Sequence, residues 1–350
     1  MAGRLLIYGA SGFTGRLALE AALRRGLEPI LAGRDPDKLA RLAHETGLEH
    51  RVTGLRDPTA LDEALRGVSV VLLAAGPFSA TARPMVEACL RTGAHYLDVS
   101  GEVPVVEALH ALDREARGRS IMILPAVGFD VVASDCLGAH VARRLGRATR
   151  LALGIRGLEL LTPGSARSLV EHAREPSRVR RDGDIVTLSP GALRRDFDYG
   201  EGPRSSVNVT WGDVATSFHT TGIPNTAVYL EESAYLNAAM LASRWFGGLL
   251  GSAPWQAWLS ACAALLPEGP SADERARRGM TLVAEARDEH GGIATARLRT
   301  PEAFGFSGTT AAAIAGWALA GDVESGFQTP ARVYGSDFVL GFDGVSREDL

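Results

Sequence analysis

Three glycines spaced three residues apart, in the segment GASGFTG, are the strongest chemical signal in this sequence of 350 residues. Gly9, Gly12 and Gly15 follow the apolar run RLLIYGA, which is typical of a buried strand. At a strand-to-helix junction such glycines permit a tight turn, a close approach of phosphate oxygens and close helix packing, and the free N–H groups of the helix bind the phosphates. We therefore predict a dinucleotide site rather than an ordinary turn. Further N–H groups or hydroxyls around the phosphates are expected from Ser11, Phe13 and Thr14.

The segment LAGRDPDKL, after the second apolar run, bears on which dinucleotide binds. An acidic side chain here would accept a hydrogen bond from the 2′-hydroxyl of NAD, whereas a basic one accommodates the 2′-phosphate of NADP. Gly33 occupies the expected acidic position, and Arg34 and Lys38 can converge on a phosphate. The pattern favours NADP(H) as the cofactor. The alternative is that Asp35 and Asp37 pair with the two cations as a solvated helix cap.

Short apolar runs alternate with amphipathic helical stretches from residue 1 to about 146. The runs are Leu5 to Tyr8, Pro29 to Ala32, His50 to Thr53, Val68 to Ala74, His95 to Val99 and Ile121 to Val127. The helical stretches begin near Thr14, Pro36, Pro58, Thr81, Pro104 and Ala133. The alternation predicts parallel strands joined by crossover helices, because a tight turn cannot reach a parallel neighbour. We expect an α/β fold with a Rossmann-type, doubly wound parallel sheet over residues 1–146.

The pattern changes after about residue 147. RLALGIRGLEL and GDIVTLSPGAL are typical of strands, and TLVAEARDEHGGIATARLRT is typical of an antiparallel hairpin that turns at Gly291 and Gly292. We predict a second, α+β domain over residues 147–308, for substrate binding and dimerisation, with a mostly antiparallel or mixed sheet. The small-residue helix Thr309 to Ala320 is expected to bring the C-terminal segment, 309–350, back to the first domain.

Composition excludes several classes of partner. The 37 basic and 41 acidic residues are interspersed and give a net charge of −4, so no basic surface is expected to attract nucleic acid.

The spacing of Cys89, Cys136 and Cys262 fits neither a disulfide framework nor close-spaced zinc ligands, and no metal is expected. Reduced thiols predict a cytoplasmic location. The first strand begins too early to leave room for a secretory signal.

One apolar segment, Trp245 to Leu266, contains no charged residue and is long enough to span a bilayer. Pro254, Gln256 and a Gly-Gly pair favour a broken pair of apolar helices over a single span. Such a segment packs against a substrate pocket or a second subunit in a homodimer, or lies on a membrane or lipid surface. These alternatives stay open, with true insertion as the least favoured.

Six segments together resemble the saccharopine dehydrogenase-like oxidoreductases, including the bacterial branch of trans-acting enoyl reductases. They are GASGFTG, AGRDPDKL, LLAAGPF, HYLDVSGE, GFDVVASD and GFQTPARVYGSDFV. The resemblance covers nearly the whole chain, and WGDVATSFHTTGIPN fits only the bacterial branch. It implies an NADP-binding Rossmann domain, a second domain that carries the substrate site, and a C-terminal segment that returns to the first domain.

The resemblance also implies roles for residues at the strand ends. Those expected to line the adenosine and the nicotinamide ribose are Ala75, Gly76, Pro77 and Phe78. Those expected near the nicotinamide are Asp98, Ser100, Gly101, Glu102, Gly128, Phe129 and Asp130. The family commonly has proline where this chain has Ala133, which puts the local turn in doubt. Capping of the next helix, or a salt bridge, is the alternative for Asp98 and Asp130.

Reduction by hydride transfer often needs a proton donor beside the acceptor. The candidate donors are His172, His219, Glu102 and Asp130, and the sequence does not decide among them. Other polar or aromatic residues available in the second domain are Trp211, Asp213, Asn225 and Tyr229. A lone histidine is more often structural than catalytic.

Two features of the sequence bear on the class of substrate. An amino-dicarboxylate calls for converging arginines, for which the chain offers Arg156, Arg167, Arg174 and Arg204. The apolar segment Trp245 to Leu266 and Trp211 favour a less polar acceptor instead. The leading hypothesis is an NADPH-dependent reductase of a C=C or C=N bond in a small, partly apolar metabolite. A non-catalytic NADP-binding protein with a membrane or partner surface, and a true saccharopine-type amino acid dehydrogenase, are the alternatives.

Overall fold

The computed structural model of the chain describes residues 3–158, 176–233, 269 and 271–350. The chain packs as two units, the first comprising Met1–Val132 and Phe304–Val333 and the second Ala133–Ala303 and Tyr334–Leu350. The sequence-based domain boundaries, 146 and 308, remain a prediction. The packing units divide elsewhere, because the long helix Phe129–Leu145 contributes its first turn to the first unit and its remainder to the second.

The secondary structure of the described residues is as follows. The strands are β1 (Leu5–Tyr8), β2 (Ile30–Gly33), β3 (His50–Val52), β4 (Val70–Leu73), β5 (His95–Asp98), β6 (Met122–Leu124), β7 (Arg150–Arg156), β8 (Ser177–Arg181), β9 (Asp184–Leu188), β10 (Arg194–Asp198), β11 (Pro203–Val209), β12 (Asn225–Glu231), β13 (Gly279–Arg287), β14 (Ile293–Pro301), β15 (Gly326–Phe327) and β16 (Ser346–Asp349). The helices are α1 (Phe13–Arg24), α2 (Pro36–Thr46), α3 (Pro58–Ala64), α4 (Phe78–Thr92), α5 (Val103–His110), α6 (Asp113–Gly118), α7 (Phe129–Leu145), α8 (Asp213–Thr221), α9 (Ala272–Ala276), α10 (Ala303–Leu319) and α11 (Pro330–Tyr334), followed by the 3₁₀ turn Phe338–Gly341.

The first unit is built on a seven-stranded sheet in the order β15-β6-β5-β4-β1-β2-β3. Its strand pairs are parallel, and the side chains of β1 and β4 are buried throughout. Continuous burial is expected where crossover helices cover both faces of a parallel sheet. The structure therefore confirms the doubly wound α/β fold. The sequence analysis missed β15, because two residues are too few to show a hydrophobic pattern.

The described residues of the second unit form a nine-stranded mixed sheet, with β10-β11-β12-β7-β13-β14-β16 in order, β8 paired with β12, and β9 paired with β8. The β12–β7 pair is parallel, whereas β13 pairs antiparallel with both β7 and β14. The predicted hairpin is confirmed as β13 and β14. Its turn includes Gly291 in the left-handed region, with φ of 87°, and is closed by Asp288 Oδ1, which accepts from the N–H groups of His290 and Gly292 at 2.8 and 2.7 Å.

Helix α10 packs closely on α1 within the first unit. A Cβ atom placed on Gly308 would lie 2.7 Å from the carbonyl carbon and 2.8 Å from the carbonyl oxygen of Leu17, closer than real Cβ contacts come. Further along the crossing, Ala312 packs with Ala21 and Ala22. Small side chains at these positions let the two backbones approach. Helix α10 is therefore an integral part of the core of the first unit.

Two further expectations concern the burial of the cysteines and the presence of a membrane-spanning segment. Cys89 and Cys136 are free and buried. In the part of the chain that the structure describes, no helix combines the length and the apolarity that crossing a membrane requires. Cys262 and the segment Trp245 to Leu266 lie outside the described residues.

We predict that Gly308→Ala lowers the free energy of unfolding by about 1–3 kcal/mol, because its methyl group would overlap the rigid backbone of α1. The matched control is Gly316→Ala on the same helix, where the nearest atom to a new Cβ is Leu27 Cδ1 at 3.5 Å. That change should be neutral or stabilising by up to about 1 kcal/mol, because alanine is the better helix former. Urea unfolding measures both, and equal destabilisation by the two variants would contradict the close crossing.

Candidate functional site

The first and third glycines of the loop after β1 are required by the chain's own packing. Gly9 adopts a φ of 89°, and its N–H donates to the carbonyl of Ala32 at 2.8 Å. A Cβ on Gly9 would lie 2.8 Å from Cβ of Ala75, and a Cβ on Gly15 only 2.1 Å from the carbonyl oxygen of Gly9. Larger residues at these two positions would push α1 and the end of β4 away from β1.

Gly12 is different, because the described chain makes little demand for glycine there. Its φ is an ordinary −79°, and a Cβ would meet one neighbour, the carbonyl oxygen of Gly9 at 3.3 Å. Gly12 is the N-cap of α1 and has no side chain with which to cap the helix. The first N–H groups of a helix have no partner within the helix and attract anions. A helix start whose N-cap is an exposed glycine therefore fits a bound phosphate.

The other loop residues take distinct positions. Ser11 and Thr14 are partly exposed beside Gly12. The ring of Phe13 packs edge-to-face on Phe304, with centroids 5.6 Å apart, so its side chain is anchored in the first unit. The expected contribution of Phe13 to a phosphate site is therefore limited to its backbone.

Arg34 and Lys38 follow β2 and are both exposed. Asp35 Oδ1 accepts from the backbone N–H of Lys38 at 3.0 Å and so caps α2, but the carboxylate does not pair with either cationic side chain. Within the described residues, neither cation has a side-chain hydrogen bond or an ion pair. Arg34 lies near the end of β1, where it partly offsets the effect of burial, which raises the pKa of Tyr8. Both cations are thus available to a 2′-phosphate.

The end of β4 is held by Glu102. Its two carboxylate oxygens accept from the backbone N–H groups of Phe78 and Ser79 at 3.0 and 2.9 Å, so Glu102 caps α4. The segment between β4 and α4 contains Ala75, Gly76 and the cis peptide bond before Pro77. Glu102 therefore has a structural role that needs no catalytic function.

Asp98 lies at the end of β5 and is fully buried. Its carboxylate accepts from the Tyr96 hydroxyl at 2.6 Å and from the N–H groups of Ser100 and Ala126, each at 2.9 Å. Burial raises the pKa of Asp98 to about 6, although these hydrogen bonds lower it. Asp98 therefore joins the loops after β5 and β6, and it caps no helix. The buried hydroxyl of Ser100 has no hydrogen-bond partner among the described residues.

Asp130 lies in the first turn of α7, after β6, and is partly exposed. A Cβ on Gly101 would come within 3.1 Å of its Oδ2 atom, so the loop after β5 runs directly against this carboxyl group. Burial raises the pKa of Asp130 to about 6. Among the candidate proton donors that the structure describes, Asp130 is the one at the carboxyl edge of the first-unit sheet whose pKa is raised.

Sequence analysis missed Ser307, a residue of α10 that borders the same edge. Its hydroxyl oxygen accepts from the N–H of Phe129 at 2.8 Å, and a Cβ on Gly128 would lie 3.1 Å from it. Thr310 on the same helix donates to the carbonyl of Val127 at 2.8 Å. No local pattern identifies Ser307, because its partners lie far away in the sequence.

The candidates of the second unit have structural partners. His219 lies on α8, and its ring packs edge-to-face with the ring of Phe218, with centroids 5.7 Å apart. Asp213 is buried and accepts from the Ser134 hydroxyl at 2.7 Å. The side chain of Asn225 donates to the carbonyl of Thr149 at 3.0 Å. His172, Arg167 and Arg174 lie outside the described residues.

The two described arginines proposed for a dicarboxylate are already paired. Arg156 contacts Glu201 at 2.9 Å and Glu231 at 3.2 Å, and Arg204 lies 3.9 Å from Glu201. The carboxylates of the chain occupy the places that a substrate carboxylate would take. This arrangement disfavours these two arginines as an amino-dicarboxylate site.

Comparisons with known proteins agree with this geometry. Residues 5–124 match the family of the saccharopine dehydrogenase NADP binding domain. The chain is 27% identical over 217 residues to the human saccharopine dehydrogenase-like oxidoreductase, covering 54% of this chain and 50% of that protein. It is 31% identical over 150 residues to the trans-acting enoyl reductase of Mycobacterium ulcerans (strain Agy99), covering 40% and 35%.

A third curated relative, the lipid droplet localized protein of Caenorhabditis elegans, is 29% identical over 154 residues, covering 40% of this chain and 36% of that protein. The chain thus spans half or less of the length of these curated relatives. Among solved structures, the apo saccharopine dehydrogenase (L-Glu forming) from Saccharomyces cerevisiae matches with a TM-score of 0.65 and 13% identity, over 99% of this chain and 100% of that one. This match shows a shared fold.

We predict that Arg34→Ala weakens NADP(H) binding by about 2 kcal/mol and leaves NAD binding nearly unchanged, because a charge-assisted contact to the 2′-phosphate is lost. The control is Arg25→Ala, which removes an exposed arginine at the C-terminal end of α1, the end away from the glycine loop. Calorimetric titration with both cofactors measures the difference. Equal weakening of NADP and NAD would mean that Arg34 has a structural role only.

Proposed function

Because residues 5–124 form an NADP-binding domain of the saccharopine dehydrogenase type, whose cofactor is a nicotinamide dinucleotide, we propose that this chain is an NADPH-dependent oxidoreductase. It reduces a C=C or C=N bond of a small, partly apolar metabolite. One observation carries the proposal: the carboxyl edge of a single parallel sheet presents a helix start whose N-cap is the exposed Gly12, and a partly exposed carboxyl group, Asp130. Ligands of such sheets bind at this edge.

The cofactor site follows from the chain's own residues. The first-turn N–H groups of α1 bind the pyrophosphate, and Arg34 and Lys38 bind the 2′-phosphate. Ala75 to Phe78, with Ser100, Gly101, Gly128 and Phe129, border the rest of the dinucleotide at the ends of β4, β5 and β6. When bound, NADPH supplies a hydride to one carbon of the acceptor bond.

Asp130 completes the reduction by donating a proton to the other atom of that bond, carbon or nitrogen. A carboxyl group with a pKa of about 6 still carries a proton in a useful fraction of molecules near neutral pH. Partial exposure lets solvent return the proton after each turnover. The names of two relatives, an oxidoreductase and an enoyl reductase, support this reaction class. The paired states of Arg156 and Arg204 support an acceptor less polar than an amino-dicarboxylate.

A second candidate function is a non-catalytic NADP-binding protein that uses residues 245–266 to contact a lipid surface or a second copy of the chain. The uncharged composition of that segment favours it, as does the name of the lipid droplet localized relative. The two functions share the cofactor site and differ in turnover, so one assay distinguishes them.

We expect the purified chain to oxidise NADPH in the presence of a 2-enoyl thioester or a cyclic imine. The loss of NADPH absorbance measures this reaction. Parallel reactions contain keto acids, or glutamate with an aldehyde to test the saccharopine-type activity. Tight NADPH binding without turnover on any of these acceptors would exclude the proposed reductase. In that case, co-sedimentation with liposomes that is abolished by charges at Leu249 and Leu259 would establish the second function.

Asp130→Asn is expected to lower kcat by about 10²-fold or more on the best acceptor, because general acid catalysis contributes at least that factor. The wild-type rate should be level below pH 6 and fall as the pH rises through about 6, since the acid must be protonated. This fall should vanish in the variant, and NADPH affinity should not change. Glu102→Gln is the control: it loosens the cap of α4 and should lower Tm while keeping the pH profile. An unchanged profile in Asp130→Asn would reject Asp130 as the acid.

A further inference from the structure

A cavity of about 600 Å³ lies on the sheet of the second unit, and none of the residues assigned to the cofactor lines it. Five arginines and two carboxylates are among its lining side chains, which leaves an excess of three positive charges. The whole chain carries a net charge of −4, so this local excess opposes the general composition. A positively charged concavity attracts anions by focusing the electrostatic potential.

The sheet register places two of these arginines side by side. Arg150 on β7 lies directly opposite Arg287 on β13 and, on its other side, opposite Asn225 on β12. Directly opposed residues of neighbouring strands point to the same face, and like charges in such a pair repel. In the ligand-free chain, this pair therefore costs stability.

One carboxylate partly compensates the arginines. Glu285 accepts ion pairs from both Arg195 and Arg287. Burial raises the pKa of Glu285, but hydrogen bonds from Arg287 and Arg195 outweigh it and lower the pKa overall, so the group is ionised at neutral pH. Arg150 and Arg181 are exposed, and their side chains have no ion pair or hydrogen bond among the described residues.

The floor and back wall of the cavity are small and rigid. Ala152 lies opposite Ala227 in the register, so two methyl groups form this part of the floor. The back wall is Tyr229, whose ring packs on Phe197 with centroids 5.5 Å apart. A Cβ on Gly154 would lie 2.7 Å from the Phe197 ring, so glycine at this position lets the ring pack directly on β7. An apolar floor below a cationic rim suits a short organic body with an anionic head.

The geometry points to a ligand site in the second unit for a small molecule with a phosphate or carboxylate head group. Arg150 and Arg181, which have no ion pair among the described residues, bind the head group, because guanidinium forks donate paired hydrogen bonds to such oxyanions. The short body of the ligand lies on the floor of Ala152 and Ala227. This site uses cationic side chains, whereas the dinucleotide site of the first unit presents backbone N–H groups to its pyrophosphate.

The test is calorimetric titration of the full chain at low salt, with NADP⁺ at saturation so that the glycine loop is occupied. The probes are pyrophosphate for phosphate head groups and glutarate for carboxylates. Arg150→Gln and Arg181→Gln should each weaken binding about tenfold or more, as for the loss of a charged hydrogen bond. The matched control is Arg147→Gln, which removes an equal charge from an exposed arginine of the same unit that does not line the cavity.

A second readout distinguishes binding from folding. Because Arg150 and Arg287 repel each other, Arg150→Gln should raise the Tm of the ligand-free protein while it weakens anion binding. Binding of one probe but not the other would support the site and identify its head group. Failure of both probes to bind, or equal weakening by Arg147→Gln, would overturn the proposal. If Arg150→Gln lowers Tm, the anion affinity of Arg181→Gln decides: weakened binding supports the site, and unchanged binding overturns it.

Discussion

The first unit depends on one buried carboxylate. Asp98 receives hydrogen bonds from Tyr96, from Ser100 and from Ala126, and so ties the loop after β5 to the loop after β6. Both loops border the edge where we propose that the dinucleotide binds. Burial raises the pKa of Asp98 to about 6, so the native state holds this proton more tightly than the unfolded chain does. The contribution of this group to stability is therefore greatest below its ordinary pKa of 3.8 and falls as the pH rises to about 6. Above that pH, the three hydrogen bonds offset only part of the cost of a buried charge, because the pKa stays raised.

The loops that Asp98 joins are completed by a helix from the other end of the chain. Ser307 and Thr310 on α10 bond to Phe129 and Val127, and Gly308 lets the helix approach α1. The position of Asp130, at the start of α7, is thus set by β6 from one side and by α10 from the other. In the reductase that we propose, the proton donor must be held in place within a fraction of an ångström. Contacts from two distant segments hold this turn more rigidly than the loop could alone.

Much of the first unit could be predicted from the sequence, because its signals are local. Buried strands show as apolar runs, and the observed bounds of β1 to β6 fall within or beside the runs from Leu5 to Val127. The hairpin turn at Gly291 was equally visible, since its residues are adjacent. Glu102 could not be interpreted in this way, because the N–H groups that it caps belong to the first turn of α4, far away in the sequence. The same limit applies to Ser307 and to the opposed pair Arg150 and Arg287, whose meaning depends on register between distant strands. The roles of the individual site residues remain predictions, and mutation of each residue is the test.

Two groups of residues in the described part of the chain differ in whether the fold alone explains them. Asp35 and Glu102 cap helices, so the fold alone explains their presence. Gly12 is a helix N-cap that has no side chain to cap the helix, and Arg150 faces a like charge. Each of these two makes the ligand-free chain locally less favourable than a simple alternative residue would. A folded chain keeps such features mainly where a bound group relieves them. A phosphate would relieve the helix start, and an oxyanion would relieve the arginine pair. The same physical argument thus leads from local disadvantage to the ligand that we propose at each of the two positions.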